Sequence, residues 1–170
     1  MNITYTLRKW QKTDLKYLQM HANNKKIANN LRNAFPRPYT AGDAKMYINS
    51  VIKSDEKTQC CRAIDVDGEA VGSIGIFIKD DVYCKSAEIG YWLAEPYWGH
   101  GIMTDAVKEI CSYAFENYDL VRIFAEVYDY NTASQNVLKK AGFKLEGILQ
   151  KSVYKNYKFY DSYLYALLKE

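Results

Sequence analysis

The sequence predicts an α/β domain of the α+β kind: a mixed, mostly antiparallel central sheet flanked by helices. Three observations carry this expectation. Two strand-like stretches meet at Asp67-Gly68, a dipeptide that favours the left-handed backbone of a tight hairpin. Residues 87–107, AEIGYWLAEPYWGHGIMTDAV, have the pattern of a strand, a glycine turn and the opening turns of a helix. Residues 121–128 then alternate, so a strand–helix–strand crossover follows the hairpins, and its two strands should run parallel.

A chain of 170 residues is the size of one domain, taken as residues 1–170. With 48% apolar and 25% charged residues it can build a full core. A net charge of +3, scattered over single and paired Lys and Arg, argues against a nucleic-acid partner. The first ten residues hold no apolar signal core and no run is long enough for a bilayer, so a cytoplasmic protein without membrane contact is expected. Cys60, Cys61, Cys84 and Cys111 show no C-x-x-C spacing, and His21 and His100 add no ligand pattern. Reduced core thiols are expected, and no metal. Sixteen Tyr fit a roomy cleft, an interface or plain amphipathic packing.

Along the chain, residues 3–10 alternate and form the first strand. Thr13 is placed to cap a helix that runs to about His21. A short helix follows near residues 25–31. Pro36 and Pro38 then hold residues 35–39 in an extended loop. Thr40 and Asp43 make a capping box for a helix with Ala44, Tyr47, Ile48, Val51 and Ile52 on one face. Residues 58–66 and 69–79 are the hairpin partners, and Gly72 and Gly75 weaken or bend the second. Asp80-Asp81 turns the chain into a third strand of the meander, residues 83–93. The helix 102–117 carries Met103, Ala106, Val107, Ile110 and Ala114 on one stripe. In the strand 121–128, Val121, Ile123, Ala125 and Val127 share a face. A helix marked by Ala133, Val137, Leu138 and Ala141 stops at Gly142. Residues 143–152 and 159–168 form the last hairpin around residues 155–158.

The turn Trp98-Gly99-His100-Gly101 opens a helix whose first amides lack intrahelical partners and lie at the positive end of the helix dipole. That arrangement suits phosphate, and glycines let the main chain approach a pyrophosphate without a Cβ in the way. It is not a dinucleotide fingerprint. Thr104 stands where G-x-G-x-x-G needs its third glycine, and repeated strand–helix–strand units are missing.

Four segments together resemble the GNAT acyl-CoA N-acetyltransferases, in detail their RimJ/RimL-type branch. They are Asn30-Leu31 with FPRPYT (35–40), residues 87–107, YDYNTASQNVLKKAGFKLEG (128–147), and Asn156 with Asp161 before the last strand. They are spaced along almost the entire chain. The resemblance implies acetyl-CoA as cosubstrate. It implies that the amides of Gly99, His100, Gly101, Ile102 and Met103, within the segment from Trp98 to Thr104, cradle the pyrophosphate. The pantetheine arm would lie beside Trp92-Leu93 like an added strand, and Asn131 would contact the cofactor. The branch acetylates protein N-terminal α-amines among other acceptors. Pro96 departs from the superfamily's usual Gln or Arg three residues before the first glycine. Leu138 replaces a Tyr that serves many members as acid on the departing thiolate. Some relatives use a Ser matching Ser134 with a Glu, and that Glu is Val153 here.

Acetyl transfer from a thioester to an amine needs a neutral amine, donors for the developing oxyanion and a way out for the thiolate. Holding a lysine-like amine of pKa about 10.4 neutral near pH 7.5 costs roughly 4 kcal/mol, against under about 1 kcal/mol for an α-amine of pKa about 7.8. A site with few ionisable groups suits the α-amine. Glu88, on the strand face shared by Gly90 and Trp92, is the expected base, directly or through water, because a carboxylate between apolar neighbours is costly unless paired or functional. A salt bridge to a neighbouring strand is its plain structural alternative, and Glu126 is the second candidate. Main-chain amides near Leu93 are expected to answer the oxyanion. Ser134 either orients the sulfur or caps its helix. His100 is expected to contribute main chain, with an exposed ring. Phe35, Tyr39, Tyr91 and Tyr128 are the expected lining of the acceptor cleft. No cysteine is placed for an acyl-enzyme, so direct attack in a ternary complex is expected. The Tyr-rich C-terminal hairpin (Tyr154, Tyr157, Tyr160, Tyr163, Tyr165) could pair two copies as a homodimer. The alternatives are a small-molecule amine acetyltransferase and an acyl-CoA-binding module without catalysis, the latter motivated by Leu138 and Val153.

Overall fold

Asp67 and Gly68 both take left-handed backbone, with φ of 53° and 85°, and join β2 (Gln59–Val66) to β3 (Glu69–Ile78). The computed structural model describes residues 3–170 and builds one sheet around this hairpin. β1 (Thr6–Arg8) pairs with β2, and β4 (Ser86–Leu93) pairs with β3, both antiparallel. Helix α4 (Ile102–Asn117) crosses over to β5 (Arg122–Tyr128), which runs parallel to β4. Then α5 (Thr132–Lys140) leads to β6 (Lys144–Lys155) and β7 (Lys158–Leu168). β7 returns between β5 and β6, so the seven strands lie in the order β1-β2-β3-β4-β5-β7-β6. The expected mixed, mostly antiparallel sheet is present, and its single parallel pair is the expected one.

Helices cover both faces. On one, Ile102, Met103, Val107 and Ile110 of α4 and Leu138 of α5 pack on Ile64, Ile74, Ile89 and Ile123. On the other, Leu18 and Ala22 of α1 (Leu15–Ala22) and Ala44 and Ile48 of α3 (Ala41–Lys53) close on Trp10, Ala63 and Ala70. Ala63 and Ile64 are neighbours on β2 yet belong to different cores, as strand alternation requires. Each large side chain buried in these layers contributes about 1.5–3 kcal/mol.

Several expected boundaries move. Thr13 is not a helix cap: it sits inside a 3-10 turn, Lys12–Asp14. The buried Asp14, at the start of α1, makes no cap bond to that helix and instead ties the turn back to the preceding chain. It accepts from the Gln11 amide at 2.8 Å and takes the Arg8 guanidinium in a two-pronged grip at 2.8 Å on each side. Arg8 Nε also donates to Asp65 at 2.7 Å, and these charge-assisted bonds outweigh what a hydroxyl cap offers. The first strand shrinks to Thr6–Arg8, and the second helix, α2, to Lys25–Ala28 with Asn24 as its cap. Ile52 and Val121 lie at element ends that nothing covers, and they are 45% and 54% exposed. The third meander strand starts only at Ser86, after a 3-10 turn at Asp81–Tyr83, which leaves Cys84 exposed rather than in the core. Cys60, Cys61 and Cys111 are buried free thiols. β6 runs on to Lys155, and its hairpin turns on Asn156 and Tyr157, φ 52° and 62°. The Thr40–Asp43 capping box and the left-handed Gly142 (φ 95°) are as expected. At Gly72 the register shifts opposite Ile64 and Asp65, and a Cβ would stand 2.6 Å from the Trp92 carbonyl oxygen. Of the hairpin tyrosines, Tyr165 is buried, Tyr160 and Tyr163 are half-buried, and Tyr154 and Tyr157 are exposed. Among the described residues no helix is long and apolar enough to cross a membrane.

Candidate active site

The parallel pairing of β4 with β5 lasts for three residues, Ser86–Glu88 against Arg122–Phe124. β4 nevertheless stays paired with β3 as far as Leu93, and β5 stays paired with β7 as far as Tyr128. The two strands therefore part like a V, and from Ile89 on the β5-facing edge of β4 has no strand against it. Main-chain donors and acceptors in such a place need partners. An extended ligand laid in the V would supply them as an added strand does. A cavity of about 1180 Å³ fills the opening.

One end of the cavity is the glycine turn. Gly99 and Gly101 have φ of 79° and 81°, and a Cβ at either would meet nothing within 4 Å. Left-handed backbone, not crowding, is what requires glycine here. Gly101 caps α4 without a side chain, and Asp105 N is the first helix amide to find a carbonyl, that of Gly101 at 3.1 Å. The amides of Ile102, Met103 and Thr104 are thus open, and these residues line the cavity with Trp98, Gly99 and Gly101. The His100 ring is exposed and is not part of the wall. Trp98 Nε1 donates to the Leu93 carbonyl at 2.6 Å, so the turn is tied back to the end of β4. That bond also occupies one main-chain acceptor of the Trp92-Leu93 segment.

The wall beneath α5 brings Asn131, Ser134 and Tyr91 together. Asn131 Oδ1 accepts from Ser134 N at 3.2 Å and so caps α5. Ser134 Oγ lies 2.7 Å from the Tyr91 hydroxyl. Burial pushes the Tyr91 phenol well above the ordinary tyrosine range, so it stays protonated. Tyr91 was expected in the acceptor cleft with Phe35, Tyr39 and Tyr128. Strand alternation turns it to the opposite wall, away from Trp92 and toward the α4–α5 core. Sequence reasoning missed the buried Gln135, which donates to the Asp129 carbonyl at 3.1 Å and accepts from the Tyr165 hydroxyl at 3.3 Å. It fixes the loop that presents Asn131. Leu138 is fully buried in the core.

Glu88, Gly90 and Trp92 face the other way. Phe35 packs on Tyr39 at 5.0 Å and on Trp92 at 6.1 Å between ring centroids. Burial, with Asp43 nearby, pushes the Tyr39 phenol up to about 12. Tyr128 lies on the same side of the opening, 5.7 Å from the Tyr130 ring. Glu88 has both oxygens engaged, one by Lys79 Nζ at 3.0 Å and one by Arg32. The register that pairs Phe77 with Glu88 puts Lys79 on the diagonal, so that contact could have been found from the hairpin. Arg32, 56 residues away, left no signal. Glu126, two residues beyond Phe124 on the same strand face, also lines the cavity, is exposed, and has no ion pair or hydrogen bond among the described residues.

A V between parallel strands, closed at one end by a glycine-opened helix, fits a long ligand with an extended arm and an anionic end. Residues 5–144 match the acetyltransferase (GNAT) domain, and the chain belongs to that family. The chain is 35% identical to the uncharacterized N-acetyltransferase YoaA of Bacillus subtilis over 101 residues, 59% of this chain and 56% of that protein. It is 33% identical to the ribosomal-protein-serine acetyltransferase of Escherichia coli over 100 residues, 59% of this chain and 55% of that one. The matched stretch thus spans little more than half the length of these relatives. The crystal structure of the microcin C7 self-immunity acetyltransferase MccE with acetyl-CoA and AMP superposes with a TM-score of 0.84 at 25% identity, covering 97% of this chain and 92% of that one.

Proposed function

We propose that this chain is an acetyl-CoA-dependent N-acetyltransferase that moves the acetyl group from the thioester to a primary amine, a protein N-terminal α-amine above all. The observation that carries the reading is the three-residue pairing of β4 with β5 beside the glycine-opened end of α4. The open edge of β4 fits an extended arm, the free amides of Ile102–Thr104 fit a pyrophosphate, and Asn131 stands at the rim of the same cavity.

In the transfer, the amine lone pair forms the new C–N bond as the C–S bond breaks. Main-chain amides near Leu93 answer the oxyanion. The amine proton goes to a cleft carboxylate, directly or through water. Both Glu88 oxygens are already engaged by cations, so its role is to hold Arg32 and Lys79 at the acceptor mouth. The unpaired Glu126 takes the proton. On the leaving side the Tyr91 hydroxyl donates to Ser134 Oγ, which turns the Ser134 hydrogen toward the cavity and the departing sulfur. No cysteine lines the cavity, and burial pushes the Cys61 and Cys111 thiols up to about 11 and about 12. Thiols held so far from their nucleophilic form favour direct attack in a ternary complex. The α-amine is favoured because deprotonating it near physiological pH costs under about 1 kcal/mol and because the Escherichia coli relative is named for a ribosomal-protein serine. The reaction belongs in the cytoplasm, and two copies pair through the exposed face around Tyr154, Tyr157 and Phe159, which sedimentation at rising concentration tests.

The full burial of Leu138, at the position of a missing acid, favours a second reading as a binding module without catalysis. The deciding experiment offers acetyl-CoA with serine-led peptides, free lysine and a polyamine, and follows thiol release. Turnover with a preference for peptide α-amines is expected. Saturable acetyl-CoA binding without thiol release on any acceptor defeats the enzyme reading, and an acetylated-protein intermediate defeats direct attack.

A further inference from the structure

Phe35, which packs on Tyr39 and Trp92 in the main cavity, is also a wall of a second cavity of about 500 Å³. Its other polar walls are Asn23, Asn29, Asn33, Asn156, Arg37 and Lys155, and no acidic residue lines it. Lys155 is the unusual member. It is 7% exposed, and Lys is among the residue types least often buried without a partner charge. Its Nζ donates to the Leu31 carbonyl at 2.7 Å and to Asn33 Oδ1 at 3.0 Å. Both acceptors are neutral, and they take two of the three ammonium hydrogens. Among the described residues no carboxylate pairs with Lys155, and Arg37 has no hydrogen bond or ion pair at all.

A buried charge is tolerable when a counter-charge meets it. Here two cations and four primary amides line one cavity without an anion among its walls, and burial holds the Lys155 ammonium below the usual lysine range. The loop that carries Leu31, Asn33, Phe35 and Arg37 separates this cavity from the acceptor side of the main one. We propose that the second cavity is an anion subsite in which Lys155 and Arg37 bind a carboxylate of the acceptor while its amine reaches the thioester past Phe35. The anion site stands on the cavity itself. The source of the carboxylate rests on the acetyltransferase reading.

Two measurements on the full chain separate these parts. In the first, backbone and side-chain resonances are followed by NMR while acetate, and separately inorganic phosphate, is added at constant ionic strength. Saturable shifts confined to residues 23–39 and 155–156 are expected with acetate, and Arg37→Gln abolishes them. Arg37 is exposed, so this variant folds even if Lys155→Met does not. Shifts that never saturate, that survive Arg37→Gln, or that occur with phosphate alone overturn the carboxylate site. In the second, kcat/KM is compared for serine-led peptides with Glu or Gln at successive positions. A preference for Glu of about tenfold at one position, worth ~1.4 kcal/mol, is expected and should vanish in Arg37→Gln. Acetate binding with no Glu preference overturns the acceptor assignment and leaves a free anion as occupant. Acetate binding with no thiol release on any peptide, free lysine or polyamine overturns the acetyltransferase reading instead.

Discussion

Tyr91 and Ser134 join their hydroxyls in the cavity wall, with oxygens 2.7 Å apart, and Leu138 is fully buried. In the proposed reaction this pair serves the departing sulfur. Tyr91→Phe removes the phenolic oxygen, keeps the ring's packing, and leaves Ser134 free to rotate. With the hydrogen bond worth about 1 kcal/mol, kcat should fall roughly fivefold to tenfold while KM for acetyl-CoA stays within twofold. Steady-state kinetics check this, and a change confined to KM would mean that Tyr91 only shapes the cavity. The two carboxylates are separable in the same way. Glu126→Gln should lower kcat/KM by about a hundredfold, with partial recovery as pH rises through about 7.8 and the α-amine loses its own proton. Glu88→Gln should cost less and chiefly raise the acceptor KM, because it releases Arg32 and Lys79. A larger kcat loss for Glu88→Gln would return the base to Glu88. At this scale the sequence exposed Ser134, Glu88 and Glu126 as residue types in a pattern. It could not expose Arg32 or Lys155, whose partners lie 56 and 124 residues away and are set by loops without periodicity.

Local patterns predicted the elements best where one device decides the backbone. Helix α4 has its expected bounds, 102 to 117, because a left-handed glycine opens it and an unbroken apolar stripe sustains it. The Asp67-Gly68 turn and the Thr40–Asp43 box are of the same kind. Where a distant charge competes, local pattern misleads, as Asp14 shows at the start of α1, where it binds Arg8 instead of capping the helix. Two predictions belong to elements. Gly101→Ala forces an L side chain to φ 81°, at a cost of roughly 1–2 kcal/mol, and tilts the first amides of α4. A melting point lower by several degrees should accompany a KM for acetyl-CoA raised at least several-fold, and an unchanged KM would free the turn from phosphate binding. Arg8→Met leaves Asp14 and Asp65 buried without their cation and should cost about 3 kcal/mol in denaturant unfolding. Loss of under about 0.5 kcal/mol, the range of an exposed pair, would contradict that picture.

Alternation along β4 and β5 reveals that both can pair, but not that they stop pairing after three residues, so the V that makes the site was out of reach of any local pattern. So was the return of β7 between β5 and β6, which local sequence does not order. These global features also join the two cores, and one seam between them should be sensitive to acid. His21 of α1 lies against Tyr97, in the turn that follows β4, with ring centroids 6.3 Å apart. Its Nε2 is buried without a hydrogen bond, and Glu69 Oε2 is 3.9 Å away. Burial lowers the His21 pKa below its usual 6.5, and the attraction of Glu69 offsets this only in part. The unfolded chain keeps the ordinary value and therefore binds more protons in this window. Stability from this group is intact above about pH 6.5 and is lost as pH falls through the folded value. The urea midpoint of the wild type should drop between pH 7 and pH 5, and His21→Gln should remove that share of the drop while leaving the carboxylate-driven loss at lower pH. Parallel curves for the two proteins would show that His21 titrates alike in both states and that the seam does not respond to acid.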